Sequence, residues 1–328
     1  MRWTTELRHP EGFHGAGRRP PFFEGWYVKL VDAGERARYA LIPGVFTSDD
    51  PDQAHAFVQV LDGTTGTATY HRYPVDAFDA ARDAFDVRVG PNRFSDRGIE
   101  LAIDDDQRTV HGTVTFGALA PWPVTLRSPG IMGPYAYVPW MECNHGVVSL
   151  DHALGGHLTM DGTEVGFDGG RGYLEKDWGA AFPAGYVWMQ SNHFAQVGTS
   201  VVGSIAIVPW RGSAFPGIIL GLRYRGRLLR FATYTGARTT ALRIDDEHVD
   251  WTVTGRAHEL HIRAHRTDGG LLHGPTREAM GSRVGETMRS TIELELRDRR
   301  RDRVLTGIGR NAGLEVHGDL DALLALQV

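Results

Sequence analysis

Thr291-Ile292-Glu293-Leu294-Glu295-Leu296-Arg297 alternates apolar and polar side chains residue by residue. A strand sends successive side chains to opposite faces, so this run reads as a strand with one dry and one wet face. The same rule sets Val110, Gly112, Val114 and Phe116 against His111, Thr113 and Thr115. It also sets Leu260, Ile262 and Ala264 against His261, Arg263 and His265. Turn signals divide such runs: Asp62-Gly63, Asp104-Asp105-Asp106, Asp161-Gly162, Asp168-Gly169-Gly170 and Asp268-Gly269-Gly270. Helical patterning is confined to residues 76–83 and 319–326. The pattern predicts an all-β chain of antiparallel sandwiches or barrels with few short helices.

The chain has 328 residues, which suits two modest domains or one large β unit. Two aromatic, glycine-containing runs lie about half a chain apart, each placed to open one β-domain. The expected division is therefore 1–168 and 169–328, at the glycines Gly169-Gly170, with the two domains packed together around a ligand pocket. Residues 121–140, rich in Pro, Gly and aromatics, read as a long ordered loop.

A net charge of −5 gives no reason to expect nucleic acid. The basic run 297–303 is interrupted by Asp298 and Asp302 and reads as a solvated hairpin tip. The single Cys143 rules out an internal disulfide and a cysteine-based zinc site. No segment has the apolar length of a signal core or a spanning helix, so the expectation is a cytoplasmic protein, with transient membrane-surface contact left open.

The chain contains 35 Lys plus Arg, of which only two are lysines. Lys29 ends Phe22-Phe23-Glu24-Gly25-Trp26-Tyr27-Val28-Lys29, and Lys176 sits within Tyr173-Leu174-Glu175-Lys176-Asp177-Trp178-Gly179. Arg does not replace a compact ammonium in a tight place, so both segments read as chemically constrained. On a strand, Glu24 is the only carboxyl on the face of Phe22, Trp26, Val28 and Leu30. Two readings stay open: a carboxylic acid kept protonated by desolvation, or a buried ion pair, with Lys176 as partner.

In the second run Tyr173, Glu175 and Asp177 share one face, and Leu174, Lys176 and Trp178 the other. Beyond Pro183 the strand over residues 186–194 places Tyr186, Trp188, Gln190 and Asn192 on one face. Two aromatics beside two amides suit a cavity wall, because each amide needs partners. His193 reads as a core or rim residue. His258, His261 and His265 lack the helical HExxH spacing and read as solvent-exposed. His9, His14, His145, His152 and His157 show no ligand spacing. No metal site, P-loop or dinucleotide fingerprint is predicted.

These runs resemble the tocopherol cyclase family. The resemblance rests on residues 22–27, residues 173–179, Phe182-Pro183, residues 186–194 and Leu272-His273-Gly274-Pro275-Thr276-Arg277-Glu278, with His9-Pro10 and Phe13-His14-Gly15 also similar. It implies a pair of lipocalin-like β-domains shared with an AttH-like group that includes carotenoid hydratases and fungal decalin-forming cyclases. It also implies closure of a chromanol ring, in which a phenol adds across a prenyl double bond without a cofactor. The implied proton donor is Glu24 or Glu175. Trp26, Trp178 and Trp188 would offer π-faces to a developing cation. Tyr27, Gln190 and Asn192 would position the phenol. Lys29, Lys176 and Asp177 would orient these groups. Plant members carry Asn at the position matching Asp177, which directs the expectation for the acid to the two glutamates. The alternatives are a non-catalytic carrier of hydrophobic or terpenoid ligands, and an AttH-like hydratase or pericyclase.

Overall fold

A computed structural model describes residues 2–327. The chain forms two compact units. The first holds the chain up to Phe182 together with Gly270–Arg283, and the second holds Pro183–Gly269 and the chain from Val284 onward.

The first unit carries a helix, α1 (Arg2–Arg8), and one antiparallel sheet. Its strands are β1 (Phe22–Val31), β2 (Arg38–Thr47), β3 (His55–Asp62), β4 (Thr67–Tyr73), β5 (Phe78–Ala80), β6 (Asp86–Val89), β7 (Asn92–Ser95), β8 (Gly98–Asp104), β9 (Thr109–Phe116), β10 (Cys143–Met160), β11 (Thr163–Gly166) and β12 (Arg171–Gly179). The strand order is β4-β3-β2-β1-β12-β10-β9-β8-β7-β6-β5, with β11 added to β10. Val58 and Val60 of β3 share one core with Val87 and Val89 of β6, near the other end of that order. The sheet therefore curls over its own apolar face.

In the second unit the order is β16-β15-β14-β13-β22-β21-β19-β18-β17. These strands are β13 (Gly185–Ser191), β14 (Ser200–Trp210), β15 (Ser213–Tyr224), β16 (Arg227–Ala232), β17 (Arg238–Ile244), β18 (His248–Thr254), β19 (His258–His265), β21 (Met280–Asp298) and β22 (Arg303–Gly318), with β20 (Gly270–Pro275) in the intervening segment. Leu220 of β15, Phe231 of β16 and Trp251 of β18 meet in its core. The final helix, α2 (Leu320–Ala325), starts at Asp319, whose carboxylate accepts from the Ala322 N–H.

The alternation therefore reads correctly as β structure, and the runs around residues 110–116, 260–264 and 291–297 are strands. Neither sheet closes: among the described residues no pairing joins β4 to β5 or β16 to β17. The units are curled open sheets and not sealed barrels. Residues 76–83 are not a helix; a 3-10 turn, Val75–Ala77, leads into β5.

The division of the chain also differs from the expected one at 168/169. The second lysine run does not open a second unit but forms β12, paired directly with β1. Gly169 and Gly170 only turn the chain into it; a Cβ on Gly170 would lie 2.4 Å from the Val31 carbonyl. Segment 270–283 returns to the first unit because buried Gln59 grips it from both sides. Its amide donates to the His273 carbonyl (3.0 Å) and accepts from the His273 N–H (2.8 Å). The His273 ring stacks on Tyr70 at 4.1 Å.

Candidate functional site

The centre of the first sheet is β1, β12 and β10. In the β1–β12 register Glu24 stands opposite Trp178, Trp26 opposite Lys176, and Tyr27 opposite Glu175. On β10, His145 stands opposite Asp177 and Val147 opposite Glu175. Each face of this ribbon thus carries one set of charged groups.

The core-side face holds Glu24 and Lys176, both fully buried and ion-paired. Glu24 also accepts from the backbone N–H groups of His14 (2.9 Å) and Gly15 (3.0 Å). Lys176 donates to the Gly12 carbonyl and lies 2.9 Å from His14 Nδ1. His14 Nε2 lies 3.3 Å from the Glu6 carbonyl, and its Nδ1 lies 3.2 Å from Glu24 Oε1. The ammonium also sits 4.6 Å from the ring centroids of Trp26 and Trp178. Burial pushes the Glu24 carboxyl up, but the Lys176 charge and the bonds from His14 and Lys176 outweigh it, and the group is held below its usual value.

Glu24 is therefore paired with Lys176, which favours the buried ion pair over the neutral proton donor. The physical reason is that the Lys176 charge and fixed N–H donors replace the lost water. Trp26 is equally closed off: it is fully buried in the core, and its indole N–H donates to the Glu11 carbonyl (3.0 Å). Residues 11–15 are thus clamped across β1. Gly12 permits close approach to the segment between β5 and β6, since a Cβ there would lie 2.2 Å from the Arg82 carbonyl oxygen.

The opposite face carries Tyr27, Lys29, Tyr173, Glu175, Asp177 and His145. Tyr27, Lys29, Tyr173 and Glu175 are buried. The Tyr173 hydroxyl donates to Glu175. His145 Nδ1 is 2.9 Å from Asp177 Oδ1, and its Nε2 is 3.2 Å from Glu175 Oε2, a charge contact outside hydrogen-bond alignment. Burial alone would lower the His145 pKa, but the charges of Glu175 and Asp177, one at each ring nitrogen, raise it well above the ordinary histidine value. The two carboxylates thus favour the protonated ring. Burial and the neighbouring Glu175 charge push the Tyr173 phenol well up, so it remains a donor.

A cleft of about 480 Å³ opens beside this ribbon, within the first unit. His14, Asn144, His145 and Trp178 line its inner wall, and Met132, Val138, Trp140 and Met141 line the side formed by the loop between β9 and β10. One ring face of Trp178 is occupied by His14, stacked at 4.3 Å. Glu175, His145 and Asp177 offer donor atoms within 4.8 Å of one another and are the set among the described residues that could hold a metal ion. In this set the two carboxylates face different ring nitrogens of His145.

Trp188, Gln190 and Asn192 belong to the second unit. Tyr186, Trp188 and Gln190 lie on the face of β13 turned away from the core residues Val187 and Met189. All are buried, as is Asn192, whose Oδ1 lies 3.0 Å from His193 Nδ1. The Tyr186 hydroxyl donates to Glu315 (2.6 Å). His261 is exposed and His265 half-buried, and they pair with Asp250 and Glu293, as expected for a wet face. Sequence reasoning passed over His14 and His145. Each meets its carboxylate only through strand pairing or chain crossing, and no local spacing marks either.

The architecture is that of a two-unit antiparallel β protein with a buried acid–imidazole cluster beside an aromatic-lined cleft. The chain belongs to the tocopherol cyclase-like family, whose model matches residues 101–318. A chloroplastic protein of Oryza sativa subsp. japonica named a probable tocopherol cyclase is 23% identical over 375 aligned residues, covering 95% of this chain and 79% of that one. The chloroplastic tocopherol cyclase of Zea mays is 24% identical over 199 residues, covering 57% of this chain and 41% of that one. Among solved structures, CghA shares the fold with a TM-score of 0.58 at 12% identity, covering 91% of this chain and 89% of its own. An AttH-type protein of Nitrosomonas europaea aligns with a TM-score of 0.50 at 13% identity, covering 94% and 95% of the two chains.

Proposed function

We propose that the protein is an intramolecular cyclase that closes a chromanol-type ring on a prenylated phenol. The observation that carries this reading is the Glu175–His145–Asp177 cluster, whose His145 lines an aromatic-walled cleft. In the reaction the phenol loses its proton, the prenyl double bond gains one, and a C–O bond forms at the more substituted carbon. Mass and oxidation state are unchanged. The chemistry needs a group that both accepts and returns a proton, and a carboxylate–imidazolium–carboxylate set has that capacity. In this reading Glu175, protonated before the step, gives its proton to the alkene and as a carboxylate recovers one from the phenol; Tyr173 and His145 orient it, and Asp177 connects the cluster to solvent. Once Glu175 has given up its proton, the negative charge left on the cluster favours the developing tertiary cation. Holding phenol and alkene together lowers the barrier further.

The locked state of Glu24 favours a second reading, a carrier that binds terpenoid ligands without changing them. Incubation of the purified protein with a prenylated hydroquinone decides between them. A product of identical mass whose phenol is converted to a cyclic ether supports the cyclase. Recovery of bound but unaltered ligand across a panel of prenyl lengths supports the carrier, and a product heavier by one water supports a hydratase.

A further inference from the structure

We propose that the loop between β9 and β10 seats the first unit's cleft on the headgroup–acyl boundary of an anionic lipid bilayer. This rests on the reading above that the ligand is an apolar prenylated molecule, which would reside in lipid and not in water. The loop exposes Leu126 at 69%, Trp140 at 62% and Val124 at 38%. Among the described residues the other exposed large apolar side chains, Val75, Val197, Leu271, Val304 and Ile308, lie outside this loop. An exposed cluster of this kind needs a partner surface, whereas isolated ones do not.

Two observations identify the surface. The first is continuity with the cleft. The Tyr137 hydroxyl donates to the Leu126 carbonyl, which ties the exposed tip to the 3-10 turn Gly133–Tyr137. The residues that follow this turn, Val138, Pro139, Trp140 and Met141, line the cleft. Trp140 therefore belongs to both the exposed patch and the cleft wall. The second is charge. From Gly117 to Met141 the sequence has no carboxylate and one cation, Arg127, in a chain of net charge −5. Arg18, Arg19 and Arg277 line the cleft, with Glu6 and Glu142 paired to the first and last. Tryptophan at the rim, apolar residues at the tip and arginines around them match the layered polarity of a bilayer surface with anionic headgroups.

The test is co-sedimentation with sucrose-loaded vesicles of phosphatidylcholine alone or mixed with phosphatidylglycerol. The wild-type protein is expected to bind the anionic vesicles more strongly. The double variant Val124→Ser/Leu126→Ser is expected to lose about tenfold or more in partitioning, and Arg127→Glu to lose the preference for anionic lipid. Absence of vesicle binding, or equal binding by the double variant, overturns the proposal. So does sedimentation velocity showing a wild-type dimer that the double variant dissolves. Detergent-solubilised substrate should turn over equally in wild type and double variant, while vesicle-borne substrate slows in the variant; equal rates from vesicles overturn the proposal. If no substrate cyclises at all, the cyclase reading fails while vesicle binding still decides the docking surface.

Discussion

Lys176 and Glu24 form an ion pair in which both side chains are fully buried, across the central strand pair of the first sheet. The pair also anchors residues 12–15 through the Gly12 carbonyl and the His14 and Gly15 N–H groups. Removing one member strands the other charge away from water. Lys176→Met and Glu24→Gln should each cost about 3–5 kcal/mol in urea unfolding. The double variant Glu24→Gln/Lys176→Met should lose less than the sum of the two. Lys176→Arg should also destabilise, because a planar guanidinium does not fit between two indoles and Gly146, where even a Cβ would lie 3.1 Å from Trp178. Since Glu24 is held below its ordinary value, its contribution is present above about pH 4.3 and lost as pH falls through the folded-state pKa.

Histidine 145 should give the opposite pH signature. Its folded-state pKa is raised by Glu175 and Asp177, so the stabilisation is complete below about pH 6.5 and lost as pH rises through the raised value. Melting temperature measured from pH 6 upward should therefore fall in wild type. His145→Asn should flatten that alkaline decline. An unchanged slope would mean that the imidazolium does not stabilise the fold.

The two glutamates should separate in function. Glu175→Gln is expected to lower kcat by about 10²-fold or more with a modest change in melting temperature. Glu24→Gln should act mainly through stability and retain activity in the fraction that stays folded. Steady-state kinetics beside calorimetry tells the two apart. Equal loss of kcat for both, with both proteins folded, would reassign the acid.

Gln59→Leu should release segment 270–283. It removes both bonds to the His273 backbone, at about 1–3 kcal/mol for each buried polar group left unmatched. Limited proteolysis should cut within this segment faster than in wild type, with the β13–β16 strands still protected.

Local patterning revealed much of this molecule. Alternation at 110–116, 260–264 and 291–297 marked strands because each has one wet face. Scarcity of lysine pointed to Lys29 and Lys176, and both are fully buried. The choice between the two readings of Glu24 was not legible, because its partners are His14 and Gly15, 10 and 9 positions earlier, and Lys176, 152 positions later. His145 was illegible for the same reason: it meets Asp177 32 positions away, through the β10–β12 register.

The sequence by itself determined the all-β class, the dry and wet faces of the strands and the two lysine runs, since side-chain alternation and composition are local properties. Tertiary structure alone decided that those runs are neighbouring strands of one sheet, that Glu24 is an ion-paired anchor, and that Glu175 shares its surroundings with an imidazolium. Those outcomes depend on burial and on charges brought together from distant positions. The energy of a carboxylate is set by the water it loses and the cation it gains, and no spacing along the chain records either.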